Sequence, residues 1–565
     1  MSANKNGTYA LRFNVKMATS LGTLSQKNYK TTLRKVNNQW KVDWTPRMIL
    51  PQLSGKATVQ LTTQAATRGK ILDRNGKALA EEGTAAEAGM IRGKLGTGTT
   101  LANNLKKISA AFDVDVSSLK TLLNQSWVTD DNFVPIKVVT DNPTLTGVTY
   151  QTVTQRTYAT GEASAQLIGY VGEVTADDIK KNATYHTGDI IGKAGLEKTY
   201  NKQLAGQAGG ELTIVAGSGK VTTLISRKKQ NGQNIQLTID SKLQTKAYNQ
   251  LKGKKGAVVT INPQTGELLT LVSTPSYDPN KFVSGISQSD YDKYANDADH
   301  PFISRYTQRY APGSTFKMLT AGVALDNGTI TTSTTKSIKG LKWQKDSSWG
   351  DYKVTRVDDV APENLTQALL HSDNIWFAQT ALKMGKSAFL KGIAPFFKQT
   401  NKLPLTMNVP QISNSGKLDK EVLFADTSYG QGQILMSPIQ QAVAYTSVMN
   451  GGKMQSPSLL LNKTTGTTQV LKASTANTLK QALTQVVDNS EGTAHGLKLS
   501  GHSIAAKTGT AELKAKQGVD GTTNGFLMAA DADNNSYLMM AMIEGTGSKE
   551  VVTTMKPFVE SLYTK

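Results

Sequence analysis

The stretch APGSTFKML, Ala311 to Leu319, places Ser314 three residues ahead of Lys317. Pro312 and Gly313 read as a turn, and the run from Ser314 through FKMLTAGVALDNG has helical apolar spacing that stops at Asn327-Gly328, a C-cap pattern. Ser314 is therefore expected at a helix N-terminus. Positions i and i+3 share a helix face, which brings the Lys317 amine within reach of the Ser314 hydroxyl. The unpaired N–H groups of the first turn would also favour negative charge developing near the serine. Alone, the pair has little weight, because Ser-x-x-Lys recurs at Ser117/Lys120 and Ser226/Lys229 and serine is a favoured helix cap.

Two further short motifs give it company. Ser372-Asp373-Asn374 begins 58 residues after Ser314, and Lys507-Thr508-Gly509-Thr510 begins 193 residues after it. The first sits at a loop that opens a helix, the second on the strand pattern HSIAAKTGTAEL. The order of the three motifs, their spacing and the elements expected to carry them make the set specific where each member is weak.

At 565 residues, with 38% apolar and 19% charged residues, the chain is long enough for two to four domains with well-filled cores. Cysteine is absent, which removes disulfides and thiolate chemistry. The histidines His186, His300, His371, His495 and His502 are scattered without metal-ligand spacing, so neither a metal nor a cofactor is expected. The formal net charge of +21 calls for an anionic neighbour, and the first fifty residues hold nine Lys or Arg against the single acid Asp43. No aromatic platform is interleaved with this charge and no nucleic-acid module is recognisable, so a membrane or cell-wall surface fits better than nucleic acid, with a merely solvated basic face as the open alternative. No apolar run approaches the ~20 residues that a spanning helix requires.

Residues 8 to 17, TYALRFNVKM, alternate strictly between apolar and polar, YKTTLRKV repeats that period from Tyr29, and QWKVDW follows the turn signal Asn37-Asn38. Three antiparallel strands with one apolar face are expected there, and they need a cover. Asn75-Gly76 in KILDRNGKALAEEG signals a hairpin at a domain junction, and SRKKQNGQN marks the next boundary. IQLTIDSKLQ and KGAVVTINPQTGELLTLVSTPSYDP then read as a strand, a helix start and a hairpin turning at Asn262 to Gly266. Helical patterns dominate from Ser314 to about residue 450. Strand patterns return in HSIAAKTGTAEL, NGFLMAADAD and YLMMAMIEG, and the tail VVTTMKPFVESLYTK is helical. Helices gathered beside a late antiparallel sheet give an α+β catalytic domain.

With these motifs the sequence resembles the class B, monofunctional penicillin-binding proteins, the D,D-transpeptidases that cross-link peptidoglycan. RGKILDRNGKALA, IIGKAGLEKTYNKQL, GELLTLVSTPSYDPN, WQKDSSWGDYKVTR, SYGQGQILMSPIQ and KTGTAELKAKQG extend the likeness over essentially the whole chain. It looks most similar to the low-affinity, methicillin-resistance type. The resemblance implies an α+β multidomain fold: a partial NTF2-like domain over residues 1–55, a pedestal of the dimerisation type over 56–230 and a transpeptidase domain over 235–565. It also implies a membrane anchor and the front of the NTF2-like domain ahead of the first residue, an extracytoplasmic location of the Gram-positive type, and a cell-wall glycosyltransferase partner.

For the site, the resemblance implies that Ser314 attacks the penultimate D-Ala carbonyl of a stem peptide, with Lys317 as base. Ser372 relays the proton to the leaving amine, Asn374 holds Lys317 and the substrate amide, and Lys507 supplies a second cation that lowers the Lys317 pKa. The backbone N–H groups of Ser314 and Thr510 are the expected oxyanion hole. Thr508, Gly509, Thr510 and Asp373 complete the substrate-binding set. β-Lactams are the expected covalent inhibitors. The alternatives are a β-lactamase, whose glutamate after SDN has only Glu363-Asn364-Leu365 as a look-alike here, and that falls before Ser372; a penicillin-sensing receptor domain; and a wall-binding protein with a dead site. Tyr429-Gly430-Gln431-Gly432 reads as a turn before a helix, and Gly430 to Gly432 are expected as a cleft wall.

Overall fold

The computed structural model describes residues 2–3, 8–139, 141–398, 403–513 and 521–564, so Lys514 to Gly518 of the KTGTAELKAKQG run lie outside the described residues. It divides into two compact units. One comprises Met1–Lys70, Glu173–Ile191 and Tyr200–Asn234; the other comprises Ile71–Gly172, Gly192–Thr199 and Ile235–Lys565. The segment expected as one pedestal over 56–230 is thus shared between them. The reason is strand pairing in two directions: Thr58–Gln64 joins Gly209–Val215, whereas Ile71–Leu72 joins Ile235–Gln236.

In the first unit, Tyr9–Thr19, Gly22–Val36 and Gln39–Val42 form an antiparallel meander, with Asn37 and Asn38 at φ 49° and 63° in the tight turn. The second strand begins at Gly22 rather than Tyr29, because a bulge between Phe13 and Val15 resets the phase of the pairing. Phe13 stacks on Tyr29 at 4.9 Å, and Leu24, Leu50 and Ile214 form a small core. Trp40, Val42 and Trp44 remain exposed.

In the second unit, Ala78–Ile91 pairs with both Phe133–Val139 and Val148–Thr157, and its Ala88 and Met90 pack with Leu105, Ile108, Phe112 and Leu119 from the helices Gly98–Phe112 and Val116–Leu123. The C-terminal part holds the elements that matter for chemistry. In chain order these are α1 (Ser241–Leu251), β1 (Gly256–Ile261), β2 (Leu268–Thr274), α2 (Lys317–Asp326), α3 (Leu365–Leu370), α4 (Asn374–Met384), α5 (Glu421–Ser428), α6 (Pro438–Met449), α7 (Ala473–Asp488), β3 (Ile504–Leu513), β4 (Thr522–Asp531), β5 (Leu538–Glu544) and α8 (Ser548–Tyr563). The sheet runs β2-β1-β5-β4-β3, antiparallel throughout, as the strand patterns predict. Every residue of β1 and β2 is buried, which is why GAVVTI and LLTLVST show no polar alternation. The hairpin turn at Asn262 to Gly266 is present, with the Asn262 side chain accepting from the N–H groups of Gln264 and Thr265. α2 has eight buried residues among its ten, so its apolar character runs all round rather than along one stripe.

Candidate active site

A short 3-10 turn, Gly313–Phe316, precedes α2 and carries Ser314. The turn needs glycine: Gly313 has φ 57°, and a Cβ there would stand 2.9 Å from the Thr510 carbonyl oxygen. On the facing strand β3, a Cβ on Gly509 would lie 3.1 Å from the Thr315 nitrogen and 3.2 Å from the Pro312 oxygen. Two glycines therefore let the serine turn and the Lys-Thr-Gly strand approach each other closely. Thr315 braces the turn from below, its Oγ1 2.7 Å from the Pro312 carbonyl and 2.8 Å from the Tyr445 hydroxyl of α6.

Lys317 follows the turn and is fully buried. Its Nζ lies 2.9 Å from Ser314 Oγ, 2.6 Å from the Ser372 carbonyl oxygen and 3.1 Å from Ser372 Oγ. Lys507 Nζ, also fully buried, donates to Ser372 Oγ at 2.9 Å and to the Thr508 carbonyl at 3.0 Å. The structure thus brings Ser314, Lys317, Ser372 and Lys507 into one hydrogen-bonded chain. Burial and the nearby Lys507 charge push the Lys317 amine well below the ordinary lysine range, and burial brings Lys507 down to about 7. Ser314 itself is only half-buried, so a substrate can reach it.

Ser372 has φ 55°, an uncommon left-handed conformation for a residue with a side chain, costing about 1–2 kcal/mol. The local chain explains it. α3 ends with His371 as C-cap, and the Asp373 N–H reaches back to the Ala368 carbonyl at 2.9 Å, so Ser372 occupies the position where helix ends usually place glycine. One residue later Asp373 starts α4, its Oδ1 accepting from the Trp376 N–H at 2.9 Å. The serine is held between the end of one helix and the start of the next, which aims both its carbonyl and its hydroxyl at Lys317.

Two of the expected residues are engaged by neighbouring groups of the protein. Asp373 is 1% exposed, and its second oxygen accepts from Arg356 Nη1 at 2.8 Å. In a fold-spanning sequence, an N-cap aspartate and a substrate-binding one look the same. Among the described residues Lys317 Nζ meets Ser314 and Ser372, and the Asn374 amide nitrogen donates to the Thr355 carbonyl at 2.8 Å.

Gly430 and Gln431 lie against the serine turn and β3. The Gly313 N–H donates to the Gly430 carbonyl at 2.9 Å, and Gln431 Nε2 donates to the Thr510 carbonyl at 3.1 Å, with the Thr510 hydroxyl accepting from the Ser548 N–H at 3.3 Å. Thr508 Oγ1 meets the hydroxyl of Thr493 at 2.8 Å. Thr493, in the loop after α7, escapes sequence reading because nothing in EGTAHGL marks it as facing β3. Arg356 escapes it as well, since a single arginine after a two-residue strand carries no pattern.

Residues 256–563 match the model of the penicillin binding protein transpeptidase domain, 63–237 the penicillin-binding protein dimerisation domain, and 1–57 the NTF2-like N-terminal transpeptidase domain. The chain is 39% identical over 574 residues to penicillin-binding protein 3 of Bacillus subtilis, covering 97% of this chain and 85% of that protein. It is 31% identical over 551 residues to peptidoglycan D,D-transpeptidase MrdA of Escherichia coli, covering 89% and 87%. Among solved structures, the complex between penicillin-binding protein PBP2 and MreC from Helicobacter pylori shares the fold, with a TM-score of 0.72 at 24% identity over 90% of this chain and 99% of that one. With a transpeptidase domain over more than half its length and relatives matched nearly end to end, the chain belongs to the class B penicillin-binding proteins.

Proposed function

We propose that Ser314 is the acyl-accepting nucleophile of this peptidoglycan D,D-transpeptidase and that Lys317 is its base. The observation that carries this is the 2.9 Å contact between Ser314 Oγ and a fully buried Lys317 amine whose other contacts, to the Ser372 carbonyl and hydroxyl, suit a neutral base. A neutral amine keeps two N–H bonds for Ser372 and points its lone pair at the Ser314 O–H. As Ser314 Oγ bonds to the carbonyl carbon of the penultimate D-Ala, its proton passes to Lys317. The oxyanion is met by the N–H groups of Ser314 and Thr510, donors of a kind commonly worth about 3 kcal/mol each.

Collapse of the tetrahedral species breaks the C–N bond, and Ser372, recharged by Lys317, hands a proton to the departing D-Ala amine. Lys507, Thr508 and Thr510 hold the terminal carboxylate, with Gly509 allowing the strand to come close, and Asn374 meets the peptide amide. The amine of a second stem peptide then attacks the ester and restores Ser314. β-Lactams follow the first half of this route and stop at the acyl-enzyme, with the low affinity of the methicillin-resistance type. Glu363 has no exposed surface, which argues against a β-lactamase that would use it to activate water. The setting proposed with this chemistry is the extracytoplasmic face of a Gram-positive membrane, with an anchor and a glycosyltransferase as partner. Among the described residues no helix is long and apolar enough to cross a membrane.

The test is intact mass after hours with excess penicillin, for the wild type, Ser314→Ala and Lys317→Ala. A stable single adduct on Ser314, absent in both variants, is expected. Drug consumption without adduct would overturn the assignment in favour of a β-lactamase, and an adduct surviving Ser314→Ala would move the nucleophile elsewhere.

A further inference from the structure

Behind the Ser372 turn lies a buried ionic cluster that the reaction scheme does not use. Arg356 has no exposed side-chain surface, and all five of its N–H bonds are engaged. Nε donates to Gly340 O at 2.9 Å, Nη1 to Val360 O at 3.0 Å and Asp373 Oδ2 at 2.8 Å, and Nη2 to Ile338 O at 2.9 Å and to Asp359. Such a fixed planar fork anchors Asp373 in both position and orientation. Asp373 is the residue whose N–H closes α3 and whose carboxylate opens α4, so the anchor fixes the chain on the C-terminal side of the left-handed Ser372. Thr355, the neighbour of Arg356, holds the Asn374 amide on the other side.

Glu363 completes the cluster. It is fully buried, 3.7 Å from Arg356 Nη1, and among the described residues neither of its carboxylate oxygens receives a hydrogen bond. A buried carboxylate without donors is costly as an anion. Carrying a proton, it hydrogen-bonds to Asp373 instead, and burial together with the Asp373 charge raises its pKa to about 8.

Resting on the roles given above to Ser372 and Lys317, we infer that Arg356, Asp373 and Glu363 are positioning residues: they hold Ser372 in its left-handed conformation and keep the charge behind Lys317 balanced. With Glu363 neutral, Arg356 and Asp373 cancel. With Glu363 ionised, the cluster carries one extra negative charge, which favours the protonated, idle form of Lys317. The charged and titratable groups facing Glu363 are Arg356 and Asp358 from the loop after Val354–Thr355, Asp359 beyond Arg356, Asp373 at the head of α4 and Lys317 of α2. Lys336, whose backbone pairs with that of Glu363, points its ammonium at Trp376 O and Thr380.

The test measures acylation by a fluorescent penicillin from pH 6 to 9.5, separating the non-covalent binding step from the acylation step, for the wild type, Asp373→Asn and Glu363→Gln, with a melting temperature for each. Asp373→Asn is expected to slow the acylation step at least about tenfold at pH 7 while non-covalent binding stays within about threefold. The ratio of Glu363→Gln to wild-type acylation is expected to climb about threefold or more as pH passes 8, because the amide cannot ionise; the titration of Lys507 is common to both proteins and leaves the ratio unchanged. A flat ratio through pH 9.5, or a folded Asp373→Asn that acylates at the wild-type rate, overturns the inference. If Asp373→Asn does not fold, the Glu363→Gln ratio decides alone. Failure of the underlying reading looks different: the wild type would then form no adduct on Ser314.

Discussion

The carbonyl of Gly430 accepts the N–H of Gly313 at 2.9 Å, so the turn that presents Ser314 is fastened to the loop after α5 by one backbone hydrogen bond. Gly430 has φ 84°, and a Cβ placed on it would stand only 1.9 Å from the Gly313 oxygen. Gly430→Ala must therefore displace the serine turn. The expected result is a loss of stability of about 1–3 kcal/mol and a fall in penicillin acylation of at least about tenfold, read by thermal melting and by stopped-flow labelling. Unchanged acylation would mean that the turn is not set by this contact.

Ser372→Ala removes a hydroxyl that touches both lysines but leaves the carbonyl that accepts from Lys317. Acylation is expected to fall by about 10²–10⁴ with little change in non-covalent penicillin binding, the mark of a lost proton-transfer group. Equal losses in binding and acylation would instead indicate a collapsed pocket.

What the sequence reveals here, and what it hides, follows from how far apart the cooperating atoms lie in the chain. Ser314, Lys317, Ser372 and Lys507 are legible because each belongs to a short run on an element with strong local patterning. Arg356 and Thr493 are not, since their meaning comes only from what they face after folding. The capping and arginine-binding parts of Asp373 are hidden because capping and recognition use the same side chain. The division of 56–230 between two units is hidden for a related reason: hydrophobic alternation announces a strand without naming its partner. α7 is not singled out either, its first turns being rich in Thr, Ser and Asn, which read equally as loop.

Lys507 yields a prediction in pH. Its folded pKa of about 7 lies below the ordinary lysine value of 10.5, so between these limits the unfolded chain binds the extra proton and the folded protein gains stability as pH rises. Below about pH 7 the full cost of a buried ammonium is present. In thermal melts at pH 6.5 and pH 9, the advantage of Lys507→Met over the wild type should shrink at the higher pH. A constant or widening difference would show that Lys507 is not titrating in this window.

Thr493 gives the fourth prediction. Its hydroxyl, exposed and 2.8 Å from Thr508 Oγ1, orients the Thr508 side chain. Thr493→Ala is expected to weaken non-covalent binding of penicillin, a carboxylate ligand, about three- to tenfold, with the acylation step itself within about twofold, in line with a loss of about 1 kcal/mol for one hydrogen bond. A change confined to the acylation step would assign Thr493 a different part.

The strand order β2-β1-β5-β4-β3 also bears on how the molecule is made. Gly256 pairs with Ile543, and the strand bearing Lys507 reaches the hairpin β1–β2 only through β4 and β5, close to the end of the chain. On a translating ribosome, therefore, Ser314 and the apolar edge of β1 emerge long before the strands that cover them exist. The sheet closes almost at termination, through contacts of very long sequence separation, a topology that folds slowly and leaves a bare strand edge waiting. In the extracytoplasmic setting proposed above, such lateness would have a use: a chain that cannot close its catalytic sheet while still being synthesised would stay extended enough to be threaded across a membrane.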